Sequence, residues 1–369
     1  MRAVFNCATH LPVLCSVSAY PNKLYHSGGA LSLNFCALST AKGMELYMRI
    51  KKTIKVKMIL AFIGYNIIFA SILSPFIVFW GPFQALKIMA VGAVASSRHP
   101  QVVQAFLSKA EIERIRNLNA DQGISGPQTF VHKNVIVDAS SGITIEDIQG
   151  RSFKGKVMLI KDPKRVKLAV TKEIGVTGER VSDLVKDMGA IAGINAGGFY
   201  DPNGKGNGSF PDGLTVQAGK LVHNNVVGNE AKNIAGFNDQ DKLIIGSMTA
   251  SQLDEKHIRD GVSFGPNLIV EGKKVISGDG GQGPCPLTGI GQMANGTVIF
   301  VVIDGRQPFW SIGATLRDLM NIFENYQAVN AVNLDGGSST ELFYNGKIAN
   351  KPCDIFPERY IPTAFVVTP

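Results

Sequence analysis

Thr297–Ile303, TVIFVVI, runs directly into Asp304-Gly305-Arg306, and further along Ala328–Leu334, AVNAVNL, runs into Asp335-Gly336-Gly337-Ser338-Ser339. Short apolar runs of this length, rich in β-branched residues, read as strands. Between them Thr315–Tyr326 places Leu316, Leu319, Met320 and Phe323 at i, i+3, i+4 and i+7, the stripe of an amphipathic helix. If the two runs are parallel strands of one sheet joined by that helix, their C-terminal ends lie at one edge. Asp304 and Asp335 then face one crevice, the place where open α/β sheets bind ligands. A lone Asp-Gly is also an ordinary polar turn. Two at one edge, with Asn195-Ala196-Gly197-Gly198 joining them, make a candidate site.

Working outward, Val181–Met188 reads as a helix capped by Gly189, and Ala190–Ile194 as a strand ending at Asn195-Ala196-Gly197-Gly198-Phe199-Tyr200. Val135–Val137, Val157–Ile160 and Val166–Val170 are further strands, the last two separated by the turn-like Lys161-Asp162-Pro163-Lys164. No repeat of roughly 20–50 residues and no low-complexity tract interrupts this pattern. The fold class expected is α/β in the mixed α+β sense. A mixed β-sheet core with flanking helices occupies about residues 130–369, preceded by one transmembrane helix.

That helix is read at Met58–Trp80, an uncharged stretch of the length needed to cross a bilayer core. Lys51, Lys52, Lys55 and Lys57 crowd its N-terminal flank, while Lys87 and Arg98 are the nearby basic residues after it, so the positive-inside bias puts residues 1–57 in the cytoplasm. A cleaved signal peptide is the rival reading. Ala93-Val94-Ala95 resembles a cleavage site but lies too far past an apolar stretch that is itself too long. A buried core helix would need a polar face, and none is present. Residues 1–43, without an acidic group or a sustained period, read as a start-site artefact or a disordered tail, since Met44 and Met48 precede the basic flank. Residues 81–129 read as a helical stalk and linker, with capping-box spacing at Ser108-Lys109-Ala110-Glu111.

The formal charge of +8 is a tail effect. Residues 1–57 hold eight Lys and Arg against Glu45 alone, and the remaining 312 carry 29 basic and 28 acidic groups. The folded part is nearly neutral, which argues against nucleic acid as a partner. No Walker A loop, Rossmann fingerprint, HExxH or GxSxG is present. His99, His132, His223 and His257 have no metal-ligand spacing, and Cys285 and Cys353 lack CxxC partners, so no metal is expected. Two free thiols and one disulfide are both open for that pair. The stretch Asp201 to Asp212 faintly imitates a calcium loop, but Lys205 stands at a ligand position and Asp212 replaces the terminal Glu. It reads as a glycine-rich active-site loop; no cofactor is expected, with calcium the minor alternative. Gly336-Gly337-Ser338-Ser339 offers backbone N–H groups and hydroxyls suited to phosphate or sugar oxygens.

Taken together, INAGGFYD…GNGSFPDGL, FGPNLIVEGK, LTGIGQMANGTVIFVVIDGR, NLDGGSSTELFYNGKIANKP and the closing IPTAFVV resemble, in order, the phosphodiester glycosidase family over about residues 130–369. Its bacterial, singly anchored, exopolysaccharide-biosynthesis-related members look most similar. The resemblance implies hydrolysis of a sugar-1-phosphodiester at the glycosidic bond, with a carbohydrate or sugar-phosphate substrate at an extracytoplasmic membrane surface. It points to Asp335 and Asp304 as the catalytic carboxylates, to Asn195 and Asp212 as residues that orient sugar hydroxyls, and to Gly197, Gly198 and Thr288 as further substrate-binding residues. Arg306, Gly336, Gly337, Ser338 and Ser339 would then hold phosphate. One departure stands out. Family members commonly read Pro-Arg-Thr where this chain reads Pro286-Leu287-Thr288. If that arginine holds phosphate, Arg306 must substitute or the substrate differs. A non-catalytic glycan-binding or envelope-assembly module, and a glycosidase whose substrate lacks phosphate, are the alternatives.

Overall fold

The computed structural model describes residues 29–83, 87, 90, 91, 94, 101–121, 130–200, 207–307, 309–353, 356 and 358–369. The chain divides into two compact units, Met1–Leu73 and Ser74–Pro369.

The first unit is helical from Gly29, within a helix that runs Gly29–Trp80. The helix thus begins inside the segment expected to lack order; residues 1–28 lie outside the described residues. Val56–Trp80, 25 residues, is the one helix among the described residues long and apolar enough to cross a membrane. Its Met58, Phe62, Ile68 and Ile72 side chains stand exposed.

In the second unit, Phe79, Val103, Leu107, Ile112 and Ile115 form a small apolar cluster between Gln101–Gln104 and Lys109–Asp121. Ser108 Oγ accepts the Glu111 N–H at 3.2 Å, as the capping-box spacing requires. These two helices fall within the stretch read as a stalk, of which 84–86, 88, 89, 92, 93, 95–100 and 122–129 lie outside the described residues.

Beyond residue 130 the fold is α+β, built on antiparallel sheets. An eight-stranded sheet runs Val131–Asp138, Ile143–Gln149, Lys154–Ile160, Val298–Ile303, Leu287–Met293, Ala328–Leu334, Asn267–Val270 and Lys273–Lys274. Every neighbouring pair in it is antiparallel. Val298–Ile303 and Ala328–Leu334 do run parallel, but Leu287–Met293 lies between them, antiparallel to both. The reason is local. The Met293 to Thr297 turn makes a hairpin of the first two strands, and the helix Leu316–Asn325 then carries the chain over to the far side of Leu287–Met293. The edge shared by the two strand ends survives this insertion.

Val298–Ile303 is buried along its whole length because both faces of the sheet are covered. Val298, Phe300 and Val302 join one core with Ile194, Phe237 and Phe365. Ile299, Val301 and Ile303 alternate into a second core under Leu316, Leu319, Met320 and Phe323. Gly289 and Gly291 of the central strand make room for Phe323, since a Cβ on either would meet its ring at 2.8 and 2.7 Å.

A five-stranded sheet runs Lys347–Ile348, Leu342–Tyr344, Ala192–Asn195, Thr363–Val367 and Val166–Val170. The 3-10 turn Pro163–Arg165, capped by Asp162, passes the chain from the large sheet into this one. Its strand Thr363–Val367 pairs on one side with Ala192–Asn195 and on the other with Val166–Val170. Another five-stranded sheet is made from Leu243–Met248, Lys232–Asn238, Ile258–Ser263, Leu214–Gln217 and Lys220–Asn224.

Candidate active site

At the common edge, a cavity of about 240 Å³ is lined by Asp335, Gly336, Gly337, Ser338, Arg306 and Arg359, with Phe264, Asn333, Cys285 and Leu287 among its walls. Ala328–Leu334 delivers Asp335, and Val298–Ile303 delivers Arg306 through Asp304-Gly305. A larger cavity of about 320 Å³ lies beside Ala218, Asp239, Asp254, His257 and Arg259, and none of the candidate catalytic or substrate-binding residues lines it. The smaller one carries the chemistry.

Asp335 is held by its backbone. Its N–H donates to Ala196 O at 3.0 Å, and Asn195 Nδ2 donates to its carbonyl. Asn195 is fully buried, and its Oδ1 accepts Thr288 Oγ1 at 2.8 Å and the Glu341 N–H at 3.1 Å. Asn195 and Thr288, expected among the substrate-binding residues, spend these polar atoms on one another and on the Asp335 loop. Burying an amide is tolerable because it is satisfied. They knot the two sheets together beneath the cavity.

Asp304 does not share the crevice. It is 4 % exposed and absent from the cavity wall. Its carboxylate accepts Trp310 Nε1 at 2.8 Å, Asn350 Nδ2 at 3.0 Å and the Lys351 N–H at 3.0 Å. Three donors make a carboxylate that organises two loops. Strand direction alone did not reveal this, because the donors come from residues 310 and 350–351, which pack over the strand end.

The glycine-rich loop works partly by shape. The Gly337 N–H donates to Pro286 O at 2.9 Å, so this amide is not offered to a ligand. Gly337 has φ +64°, and a Cβ there would lie 3.1 Å from Arg306 Nη1, so glycine lets the guanidinium lie close over the loop. Arg359 Nη1 donates to Ser338 Oγ at 3.0 Å, and its guanidinium stands 4.7 Å from the Phe199 ring centroid. Ser339 is buried, its Oγ without a protein partner among the described residues. Gly197 and Gly198 permit close packing, since a Cβ on them would meet Val262 and the Phe264 ring at 2.9 Å. Asp212 is exposed and its N–H donates to Gly198 O at 2.9 Å; residues 201–206 of the calcium-like loop lie outside the described residues. Among the described residues no group of three or more His, Cys, Asp or Glu could hold a metal ion.

Leu287 is 2 % exposed and belongs to the core cluster beneath the helix Leu316–Asn325. The cations at the cavity are Arg306 and Arg359. Arg359 has no signal in the sequence, since it reaches the site only through the fold. Asn333 does have one, as a polar residue in an apolar strand; its Nδ2 donates to Gly265 O at 2.9 Å, while its Oδ1 is buried without a protein partner. Cys285 and Cys353 form no disulfide with one another, and burial pushes the Cys285 thiol up to about 11. Glu341, behind the loop, is also shifted. Burial first, and Glu358 beside it second, push its carboxyl up to about 9 against the opposing pull of Arg180.

Residues 188–368 match the phosphodiester glycosidase family, a shorter stretch than the 130–369 over which the motifs are read. A curated relative, the SPbeta prophage-derived uncharacterized protein YomE of Bacillus subtilis (strain 168), is 27% identical over 201 residues, 52% of this chain. The matched region spans 30% of that relative's own length. Among solved structures, the zebrafish N-acetylglucosamine-1-phosphodiester alpha-N-acetylglucosaminidase catalytic domain, auto-inhibited by its pro-peptide, superposes with a TM-score of 0.51 at 19% identity. That match covers 68% of this chain and 86% of the zebrafish domain, and it establishes a shared fold.

Proposed function

We propose that this chain, whose residues 188–368 carry the phosphodiester glycosidase fold, is a membrane-anchored hydrolase. It cleaves the glycosidic bond of a sugar-1-phosphodiester in cell-envelope or exopolysaccharide glycans. The observation that carries this reading is the convergence of Asp335, Arg306, Arg359 and the Gly336–Ser338 loop on one cavity.

The chemistry suits one carboxylate sharing a cavity with two guanidiniums. A phosphomonoester leaves as a stable anion, its second pKa being about 6, so it needs less proton donation than a sugar alkoxide. Arg306 and Arg359 bind the departing phosphate oxygens, and Asp335 supplies the negative charge beside the oxocarbenium-like carbon. Asp304 acts indirectly, by fixing Trp310 and Lys351 around the strand end that presents Arg306. Exposed Asp212 and buried Ser339 are the remaining groups for the sugar. With the phosphate held by Arg306 and Arg359, Leu287 is left as a packing residue.

Lys51, Lys52, Lys55 and Lys57, ahead of the uncharged stretch that begins at Met58, support an N-terminus in the cytoplasm, a single span, and residues 130–369 outside. The test of the activity is incubation of the purified full chain with a panel of sugar-1-phosphodiesters. Free reducing sugar plus phosphomonoester is expected. Release of sugar only from uncharged glycosides would point to a glycosidase that does not use phosphate, and binding without turnover to a glycan-binding module.

A further inference from the structure

The hairpin that follows Arg306 has a rigid root and an apolar tip. Gln307 and Ser311 pair through N–H···O bonds of 2.9 and 2.8 Å, and the Arg306 N–H donates to Ile312 O at 2.9 Å. The Ile312 N–H in turn donates to Ser152 O at 2.8 Å, and Gln307 Nε2 to Lys351 O at 2.8 Å. At the tip Phe309 is 105 % exposed, with Ile312 at 48 % and Trp310 at 40 %. Among the described residues no core contact explains a phenylalanine held fully in water beside so well anchored a root. A bound partner does.

The chemistry around Trp310 selects the partner. Its indole N–H is taken by Asp304, while Lys154 Nζ lies 3.7 Å and Lys351 Nζ 5.0 Å from the ring centroid. A ring face already holding an ammonium is a poor platform for a pyranose. Aromatic tips ringed by lysines instead match the interface of an anionic bilayer, where apolar side chains enter the acyl boundary and ammonium groups meet phosphate headgroups. The same chain carries the membrane-length segment Val56–Trp80.

We propose that the Gln307–Ile312 hairpin is a membrane-docking wedge that inserts Phe309 and Ile312 at the surface of an anionic bilayer. Arg306, the residue before the hairpin, lines the cavity, so docking brings the phosphate end of the site to the headgroup layer. Resting on the function proposed above, this assigns the substrate class: a sugar-1-phosphodiester whose other ester arm is a lipid.

Two tryptophans in the chain, Trp80 and Trp310, make the test direct. The full chain carrying Trp80→Phe is reconstituted into phosphatidylcholine–phosphatidylglycerol bilayers with and without bromine on the upper acyl carbons. Trp310 emission should be quenched by the bromines, less so in raised salt or in phosphatidylcholine alone. The added pair Phe309→Asp and Ile312→Asp should abolish the quenching with an unchanged thermal midpoint, since both side chains are exposed. Equal emission in both lipids overturns the proposal. So does quenching that persists in the Asp pair, or emission that answers to soluble oligosaccharide and not to bromine. In the kinetic arm the Asp pair should hydrolyse a water-soluble phosphodiester at the unaltered rate and a lipid-linked one at least about tenfold more slowly. If neither is hydrolysed, the proposed activity fails while quenching still decides docking.

Discussion

Asp335 and Glu341 lie six positions apart in the sequence and play opposite electrostatic parts. Asp335 lines the cavity together with Arg306 and Arg359. Asp335→Asn keeps the shape and removes the charge, so kcat/KM on a sugar-1-phosphodiester should fall at least about a hundredfold, with the unfolding midpoint nearly unchanged. Near-normal turnover would remove Asp335 from the mechanism. Glu341 is buried, and its carboxyl keeps its proton up to about 9, whereas the unfolded chain gives that proton up near 4.5. The folded state then binds more protons across that window, so stability falls as pH rises through it and levels off above it. Glu341→Gln should cancel this slope, gaining on the parent from about pH 5 to about pH 9 by at most about 1.4 kcal/mol per pH unit. Urea melts at several pH values measure it, and parallel curves would show that Glu341 is ionised when folded. Asp335 and Arg306 were legible because each follows an apolar strand at an Asp-Gly step. Asp304 shares that signature, but its loops consume it, and Arg359 comes to the site from a segment with no motif of its own.

The helix Leu316–Asn325 was readable almost to the residue, for two physical reasons. Its apolar stripe has the helical period, and Thr315 closes a capping box with Asp318, Oγ1 accepting the Asp318 N–H at 3.1 Å while Asp318 Oδ2 accepts the Thr315 N–H at 2.9 Å. Thr315→Ala should cost about 1 kcal/mol of stability, read from a shifted urea midpoint, with kcat/KM unchanged. A larger loss accompanied by lost activity would mean that this cap also fixes the Asp304 and Asp335 strand ends. The strands themselves were visible as apolar runs. Their neighbours were not, because a buried strand advertises burial on both faces and nothing about which strand lies beside it. Leu287–Met293, broken by Gly289 and Gly291, looked least like a strand and turned out to separate the two that matter.

For the whole molecule, the lysines clustered ahead of the uncharged stretch that begins at Met58 set the expected topology. Protease applied to intact cells should remove a C-terminal tag and spare an N-terminal one; the reverse result would place residues 130–369 in the cytoplasm. Composition exposed the lopsided charge of the chain, while the division of the fold among several sheets needed the long-range pairing. One of those pairings also bears on time. Thr363–Val367 fills the gap between Ala192–Asn195 and Val166–Val170, and Thr363 supports the site, accepting the Gly197 N–H on its Oγ1 and the Ala196 N–H on its carbonyl. A chain still emerging from the ribosome or translocon therefore carries two open strand edges and an unsupported catalytic loop. Until this stretch arrives the Ala196 and Gly197 N–H groups lack their acceptors, and quality-control proteases can recognise such a copy by its bare edges.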